Sequence, residues 1–310
     1  MIDGIIASGK ITKTSGLKIL NLVPPDYETL SSRPRPKKYR LNNLHVDVDY
    51  NNKGPVSISI MGSPNKFNYG NNANNYTIFE FKESLIELSH KTGIDCMKLN
   101  LHKVEVGSNF IMKNTPPLYT SSLFGHPESR MKKSQLKNFQ TVYFENSTRK
   151  KMIFYDKGAE SVKSIPDELI RYNLLRYEYI LKRKINESLG SYLTVGDLLN
   201  KEIYNQLLKL WRDHYFKLIR KDVSTFKGKP KVSDLTPFFS KIGISSFGYT
   251  ESSLIIENGI NDFKLKGNEA TRPRSWLKNQ MTEDKFSKPL DLFIELDEKV
   301  QRVYESNLIL

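Results

Sequence analysis

Apolar and polar residues alternate with period two along much of the first 190 residues. The segments "LHVDVDY" (44–50) and "PVSISIMGS" (55–63) flank the turn sequence "NNKG" and predict an antiparallel hairpin. In "MKLNLHKVEV" (97–106) the alternation puts Met97, Leu99, Leu101, Lys103 and Glu105 on one face and His102, Val104 and Val106 on the other. "TVYFENSTRKKMIFYDKGAE" (141–160) reads as two strands around a polar turn, the second placing Lys151, Ile153, Tyr155 and Lys157 on one side. "NLLRYEYILKRKI" (173–185) suits a strand or a helix. As a strand it turns Leu175, Tyr177, Tyr179 and Leu181 one way and Arg176 and Glu178 the other.

Helical spacing appears in "IFEFKESLIELSHKTG", where Phe79, Leu85, Ile86 and Leu88 form a stripe and Gly93 a stop. It returns from about residue 194, with Thr194 as the expected N-cap of a helix starting near Val195, and again in "LDLFIELDEKVQRVYES". "SSRPRPKKYR" (31–40), "SPNKFNYGNNANNY", the stretch 114–138 and "KDVSTFKGKPKVSD" read as loops or linkers. The pattern predicts an α+β fold: a central antiparallel sheet with flanking helices, followed by a mainly helical C-terminal part. Residues 1–190 are expected to form one domain and 191–310 a helical accessory region.

Charge adds a partner to this picture. Lys and Arg number 48 against 34 Asp and Glu, a formal charge of +14, which favours a polyanion such as nucleic acid; basic charge can also serve solubility alone. Arg33, Arg35, Lys37, Lys38 and Arg40, together with Arg149, Lys150, Lys151 and Arg176, are candidate DNA contacts. Cys96 is the only cysteine, which rules out an intramolecular disulfide and a thiolate zinc site and suits a reducing, cytoplasmic setting. No apolar run approaches the ~20 residues of a membrane-spanning helix.

Tyr155 and Lys157 are the candidate chemistry. A phenol with an unperturbed pKa near ~10 is a poor nucleophile, and an adjacent ammonium or metal ion favours its phenolate. The commoner role for a strand tyrosine is packing with its hydroxyl hydrogen-bonded. Glu105 and Glu178 are two carboxylates that could converge on the sheet around Mg2+ or Mn2+. Their plainer roles are an ion pair of Glu178 with Arg176 or Lys184, and a solvated strand end at Glu105. His102 points away from Glu105 on a regular strand and is expected to pack; a bulge would change that.

These segments resemble the filamentous-phage gene II replication initiators and related rolling-circle plasmid initiators. The resemblance is carried, in order, by "MID", "GSPNKFNYGNN", "LHKVEVG", the hairpin 141–160 and "LLRYEYILK". It implies a site-specific DNA nickase and strand transferase, with Tyr155 as nucleophile, Lys157 as its charged neighbour, and Glu105 and Glu178 at the metal-binding positions. Glu105 stands where the family pattern is expected to have aspartate. The reaction so implied leaves a 5′-phosphotyrosine and a 3′-OH primer at origin DNA, with host helicase and polymerase as further partners. Tyr143, across the hairpin, is the conceivable second nucleophile. The same chemistry would serve a mobilisation relaxase or transposase, and a non-catalytic DNA-binding protein would need only the charge and the aromatic strands.

Overall fold

The computed structural model describes residues 1–11, 18, 36–74, 76–136, 139–146, 149–160, 165–182, 185–190, 192–220, 249–282 and 292–309. Arg33, Arg35 and the stretch 221–234 lie outside them. Two compact units are present, residues 1–220 with 292–310, and residues 221–291. This division differs from the one expected at 190, because helices beyond that point pack on the sheet.

The first unit is built on nine strands: β1 (Ile2–Lys10), β2 (Lys37–Leu41), β3 (Leu44–Asn51), β4 (Gly54–Gly62), β5 (Asn100–Met112), β7 (Arg130–Leu136), β8 (Phe139–Asn146), β9 (Lys150–Asp156) and β10 (Asn173–Lys182). Their order is β2-β3-β4-β1-β5-β10-β9-β8-β7, with every neighbouring pair antiparallel. Two short strands, β6 (Leu123–Gly125) and β11 (Ile219–Arg220), pair separately.

Alternation decides which face each residue meets. Val104, Val106, Phe110, Met152, Phe154, Leu175, Tyr177, Tyr179 and Leu181 are buried. Over them lies α7 (Lys201–Phe216), which buries Tyr204, Leu207, Leu208, Trp211 and Tyr215 at helical spacing. Phe154 and Tyr177 stack at 4.5 Å, Tyr177 and Trp211 at 5.2 Å, and the Tyr177 hydroxyl donates to the Trp211 carbonyl at 2.8 Å. Each such fully buried side chain contributes about 1.5–3 kcal/mol of burial free energy.

The remaining helices are α1 (Pro64–Tyr69), α2 (Ile78–Thr92), α3 (Pro116–Ser122), α4 (Lys157–Glu160), α5 (Asp167–Ile170), α6 (Ile185–Leu189), α8 (Tyr249–Asp262), α9 (Asn268–Thr282) and α10 (Leu292–Asn307). The expected loop "SPNKFNYGNNANNY" contains α1, which starts because Ser63 caps it and Pro64 suits its first turn. Residues 114–138 hold α3, β6 and β7, and Lys37, Lys38 and Arg40 belong to β2, not to a loop. In α2 the buried residues are Phe81, Leu85 and Leu88, while Phe79 and Ile86 are exposed, so the stripe is turned from the one expected. The long helix begins at Asn200, whose side chain accepts from the amides of Glu202 and Ile203, and Thr194 instead bonds Asp197. Among the described residues no helix is long and apolar enough to cross a membrane.

Candidate active site

Residues paired across an antiparallel ladder share a face. Arg176 stands across from Tyr155 and Asn109, Glu178 across from Ile153 and Gly107, and Ile180 across from Glu105. Tyr155, Arg176, Glu178 and Glu105 therefore gather on the face opposite the aromatic core. Asp3 joins them from β1, at a register shift between Ile2 and Gly4.

Arg176 is the hub of this cluster and is 2% exposed. Its Nε donates to Glu178 Oε1 at 2.6 Å, its Nη1 to the Asn72 carbonyl at 3.0 Å and Asn109 Oδ1 at 2.8 Å, and its Nη2 to Asp3 Oδ2. The guanidinium is thus spent inside the protein, which corrects its assignment as a DNA contact. Asn72 Nδ2 donates to both carboxylate oxygens of Asp3 at 3.1 Å. Burial alone would push the Asp3 carboxyl up, but the Arg176 charge and the Asn72 bond hold it below its usual value.

The Tyr155 hydroxyl, on a side chain 9% exposed in total, donates to Glu178 Oε1 at 2.9 Å. Burial pushes its pKa well above 10; Arg176 opposes this and Glu178 adds to it. The expected lowering by Lys157 is not what the structure has: Lys157 opens α4, its Nζ lies 5.9 Å from the Tyr155 ring centroid, and it donates to Glu160 at 2.6 Å. Lys157 is itself buried, and that burial together with Arg176 lowers its pKa.

Two glycines make room for the site. A Cβ at Gly4 would run into the Glu105 carboxylate, and one at Gly107 would lie 3.0 Å from Arg176 Nη2 and 3.3 Å from Glu178 Cγ. Glu105 pairs with Lys103. Its carboxyl is held above the usual range, first by burial, with Glu178 and Asp3 adding to it and Lys103 opposing. His102 falls at a second register shift, between Ile6 and Ala7, and is exposed, sharing a 2.6 Å hydrogen bond with Ser8. The bulge undoes the packed role expected for it.

Among the described residues no group of three or more His, Cys, Asp or Glu side chains is placed to share a metal ion. Mg2+, however, is commonly held by one or two carboxylates, with waters and substrate phosphates completing its shell. Glu105 and Glu178 occupy diagonal positions on one sheet face, and the Glu178 charge, which adds to the burial that raises Glu105, is one a cation would offset. The donor set fits a hard cation on those terms.

The sequence pattern missed Asp3, Asn72 and Asn109. A carboxylate in the apolar strand "MIDGIIA" was the available signal for Asp3. Nothing local marked the two asparagines: Asn72 donates from Nδ2 to Asp3 and accepts from Arg176 at its carbonyl, and Asn109 accepts from Arg176 at Oδ1. Of the basic candidates, Lys37, Lys38, Arg40 and Arg149 are exposed and Lys150 and Lys151 half-buried. Arg149 pairs with Glu187 at 2.8 Å, and Lys151 sits 4.2 Å from the Tyr143 ring centroid.

A broad antiparallel sheet with one apolar face and one face bearing a buried carboxylate–arginine–tyrosine cluster defines the structural class. Residues 43–202, spanning Glu105, Tyr155, Lys157 and Glu178, match the family described as the N-terminal part of the phage gene II replication-associated protein, and the chain belongs to that family. It is a replication initiator of the filamentous-phage gene II type. No curated protein matches the chain.

Proposed function

We propose that the protein initiates rolling-circle replication by nicking one strand of origin DNA through Tyr155. The observation that carries this reading is the bond from the Tyr155 hydroxyl to Glu178, at 2.9 Å, on the sheet face that also holds Glu105, Asp3 and Arg176. The Tyr155 oxygen attacks the scissile phosphorus, the bond from phosphorus to the 3′ oxygen breaks, and the 5′ end remains on tyrosine. The phenol proton has Glu178 as an acceptor within reach, which matters for a group whose pKa is raised. The departing 3′ oxygen takes up a proton and becomes the primer end for a host polymerase, with a host helicase opening the duplex.

Mg2+ or Mn2+, held by Glu105 and Glu178, would supply charge to offset the developing negative charge on the phosphate. Arg176 fixes Glu178 and Asp3, and Lys157 sits beside the nucleophile's ring. Because phosphotyrosine retains the phosphodiester energy, a 3′-OH can reverse the step and reseal a circle. Of the part beyond 190, residues 221–291, the second compact unit, would act as an accessory region, contacting DNA or a partner.

The test is incubation of supercoiled origin DNA with wild type and Tyr155→Phe, in Mg2+ or EDTA, followed by denaturing gels. The expected result is metal-dependent nicking with a protein-linked 5′ end that disappears in Tyr155→Phe. The burial of Tyr155 favours a second reading, a non-catalytic DNA-binding protein in which it only packs. Binding without cleavage in any metal would select that reading.

A further inference from the structure

The sheet face that carries Tyr155 continues past the carboxylates as an open surface. Along β5, Val104 and Val106 are buried while Lys103 and Glu105 are half-exposed; along β9, Met152 and Phe154 are buried while Lys151 and Ile153 are half-exposed. One side of these strands is therefore covered by the core and the other is not. Cross-strand pairing fixes what shares the uncovered side. Lys103 stands across from Lys182, Lys151 from Ile180 and Glu145, and Ile153 from Glu178 and Tyr143. On the outermost strand, Lys132 faces Tyr143 and Arg130 faces Glu145.

Beyond the Arg176 cluster, this patch sets five cationic groups against two carboxylates. Glu105 pairs with Lys103, and Glu145 is shared by Lys182 at 3.3 Å and Lys132 at 3.6 Å. Lys151 makes no ion pair among the described residues; its Nζ sits 4.2 Å from the centroid of the half-buried Tyr143 ring. Lys103 and Lys182 are directly opposed on the ladder, with Lys151 diagonally beside them. Like charges so placed destabilise a sheet. Burial lowers the Lys151 pKa; Glu145 opposes this, and the Lys182 and Lys103 charges add to it. A merely solvated face would balance its charges, whereas this one gathers lysines where an anion would relieve their repulsion.

We infer that this open face is the bed of a single DNA strand, with phosphates on Lys103, Lys182 and Lys151 and a base stacked on Tyr143. The choice of DNA as the polyanion rests on the function proposed above. An aromatic ring among lysines suits unpaired bases, whose faces are free to stack, and a duplex keeps those faces inside. The bed is continuous with the site, since Ile153 lies between Tyr143 and Glu178. It also extends the other way: from Lys182 and Lys103 the same row runs through Ile6, Met61 and His45 to Arg40 on β2. At ~4.8 Å per strand that is roughly 24 Å, on the scale of the smallest single-strand sites of about four nucleotides.

The experiment is fluorescence anisotropy of the full chain with an oligothymidine strand of about 12 nucleotides across a salt series. Wild type is compared with Lys103→Gln/Lys182→Gln and with Lys201→Gln/Lys209→Gln, an equal loss of charge at exposed positions of α7, which packs on the other face. The open-face pair is expected to weaken binding about tenfold near ~0.15 M salt and to lower the slope of log affinity against log salt by about 1.4, two contacts at ~0.7 each. The α7 pair is expected to change affinity by less than about twofold. In parallel, wild type irradiated with strands carrying one 5-iodouracil is expected to crosslink at Tyr143, located by peptide mass spectrometry. Equal losses in both pairs, no loss in the open-face pair, or crosslinks only away from Tyr143 would each overturn the bed and leave the nicking reading standing. Binding on this face with no nicking in any metal would overturn that reading and leave the bed. The crosslink needs no variant, so it decides the matter even if a double variant folds poorly.

Discussion

Arg176 compensates two buried carboxylates at once, Asp3 and Glu178. Removing one partner of a buried charge cluster leaves the others unpaired, at a cost of about 3–5 kcal/mol. Arg176→Met is therefore expected to lower the urea midpoint strongly, and Arg176→Lys to restore little, because a single ammonium cannot reproduce the fork that reaches Asp3, Glu178, Asn72 and Asn109 together. Gly107→Ala forces a methyl against the same guanidinium, where nothing can retreat without breaking a bond. It is expected to cost about 1–3 kcal/mol, read by the same unfolding curve. Alternation within each strand turned Tyr155 away from Phe154, Glu178 away from Tyr177 and Glu105 away from Val104, and strand pairing brought those faces together. Alternation could not show that the tyrosine would be buried and its pKa raised, since that depends on what covers the strand and not on the strand.

At the scale of elements, α7 docks on the aromatic side of the sheet and buries His214 against it. His214 stacks on Tyr179 at 4.9 Å and on His126 at 5.5 Å, with Lys150 Nζ at 3.4 Å from its Nε2. Burial first, and then the Lys150 charge, lower its pKa from 6.5 to about 4. A histidine kept neutral when folded takes up its proton more readily when unfolded. Stability is then full above pH 6.5 and falls as the pH drops from 6.5 towards about 4. His214→Phe is expected to flatten that part of a thermal-unfolding profile against pH. The helix itself was legible from its apolar spacing. Its start was not, because Asn200 outcompeted Thr194 as the cap once Thr194 found Asp197. His102 shows the opposite failure: a one-residue bulge, invisible to period-two reading, sent it to the exposed side.

In the first compact unit as a whole, α10 returns from beyond residue 290 to the sheet. Glu295 accepts from Tyr119 at 2.6 Å, Asp297 from Tyr215 at 2.7 Å and Arg220 at 2.8 Å, and Leu296 and Val300 are fully buried. Leu296→Ala is expected to cost about 2–5 kcal/mol in global unfolding, as for a core position and not for an appended helix. The basic candidates are divided across the unit: β2, with Lys37, Lys38 and Arg40, is six strand positions from β9, with Lys150 and Lys151. At ~4.8 Å per strand that is roughly 29 Å of sheet, the rise of about eight base pairs. Replacing Lys37 or Arg40 by alanine is expected to reduce the salt dependence of DNA binding by about one counterion each, uniformly across sequences.

The sequence by itself determined the strand alternation, the hairpins, the helical spacing of 201–216 and the family to which the chain belongs, because each is written in neighbouring residues. It also gave, strand by strand, the faces of the nucleophile candidate and of the two carboxylates; strand pairing put those faces on one side of the sheet. Only the tertiary structure decided what that side does to them. Strand order brought Asp3 to Arg176 across 173 positions of chain, and Asn72 and Asn109 arrived from elements with no local mark. Charge, burial and hydrogen-bond partners are properties of the assembled neighbourhood, so the raised tyrosine and the spent arginine could be read only after the chain had folded.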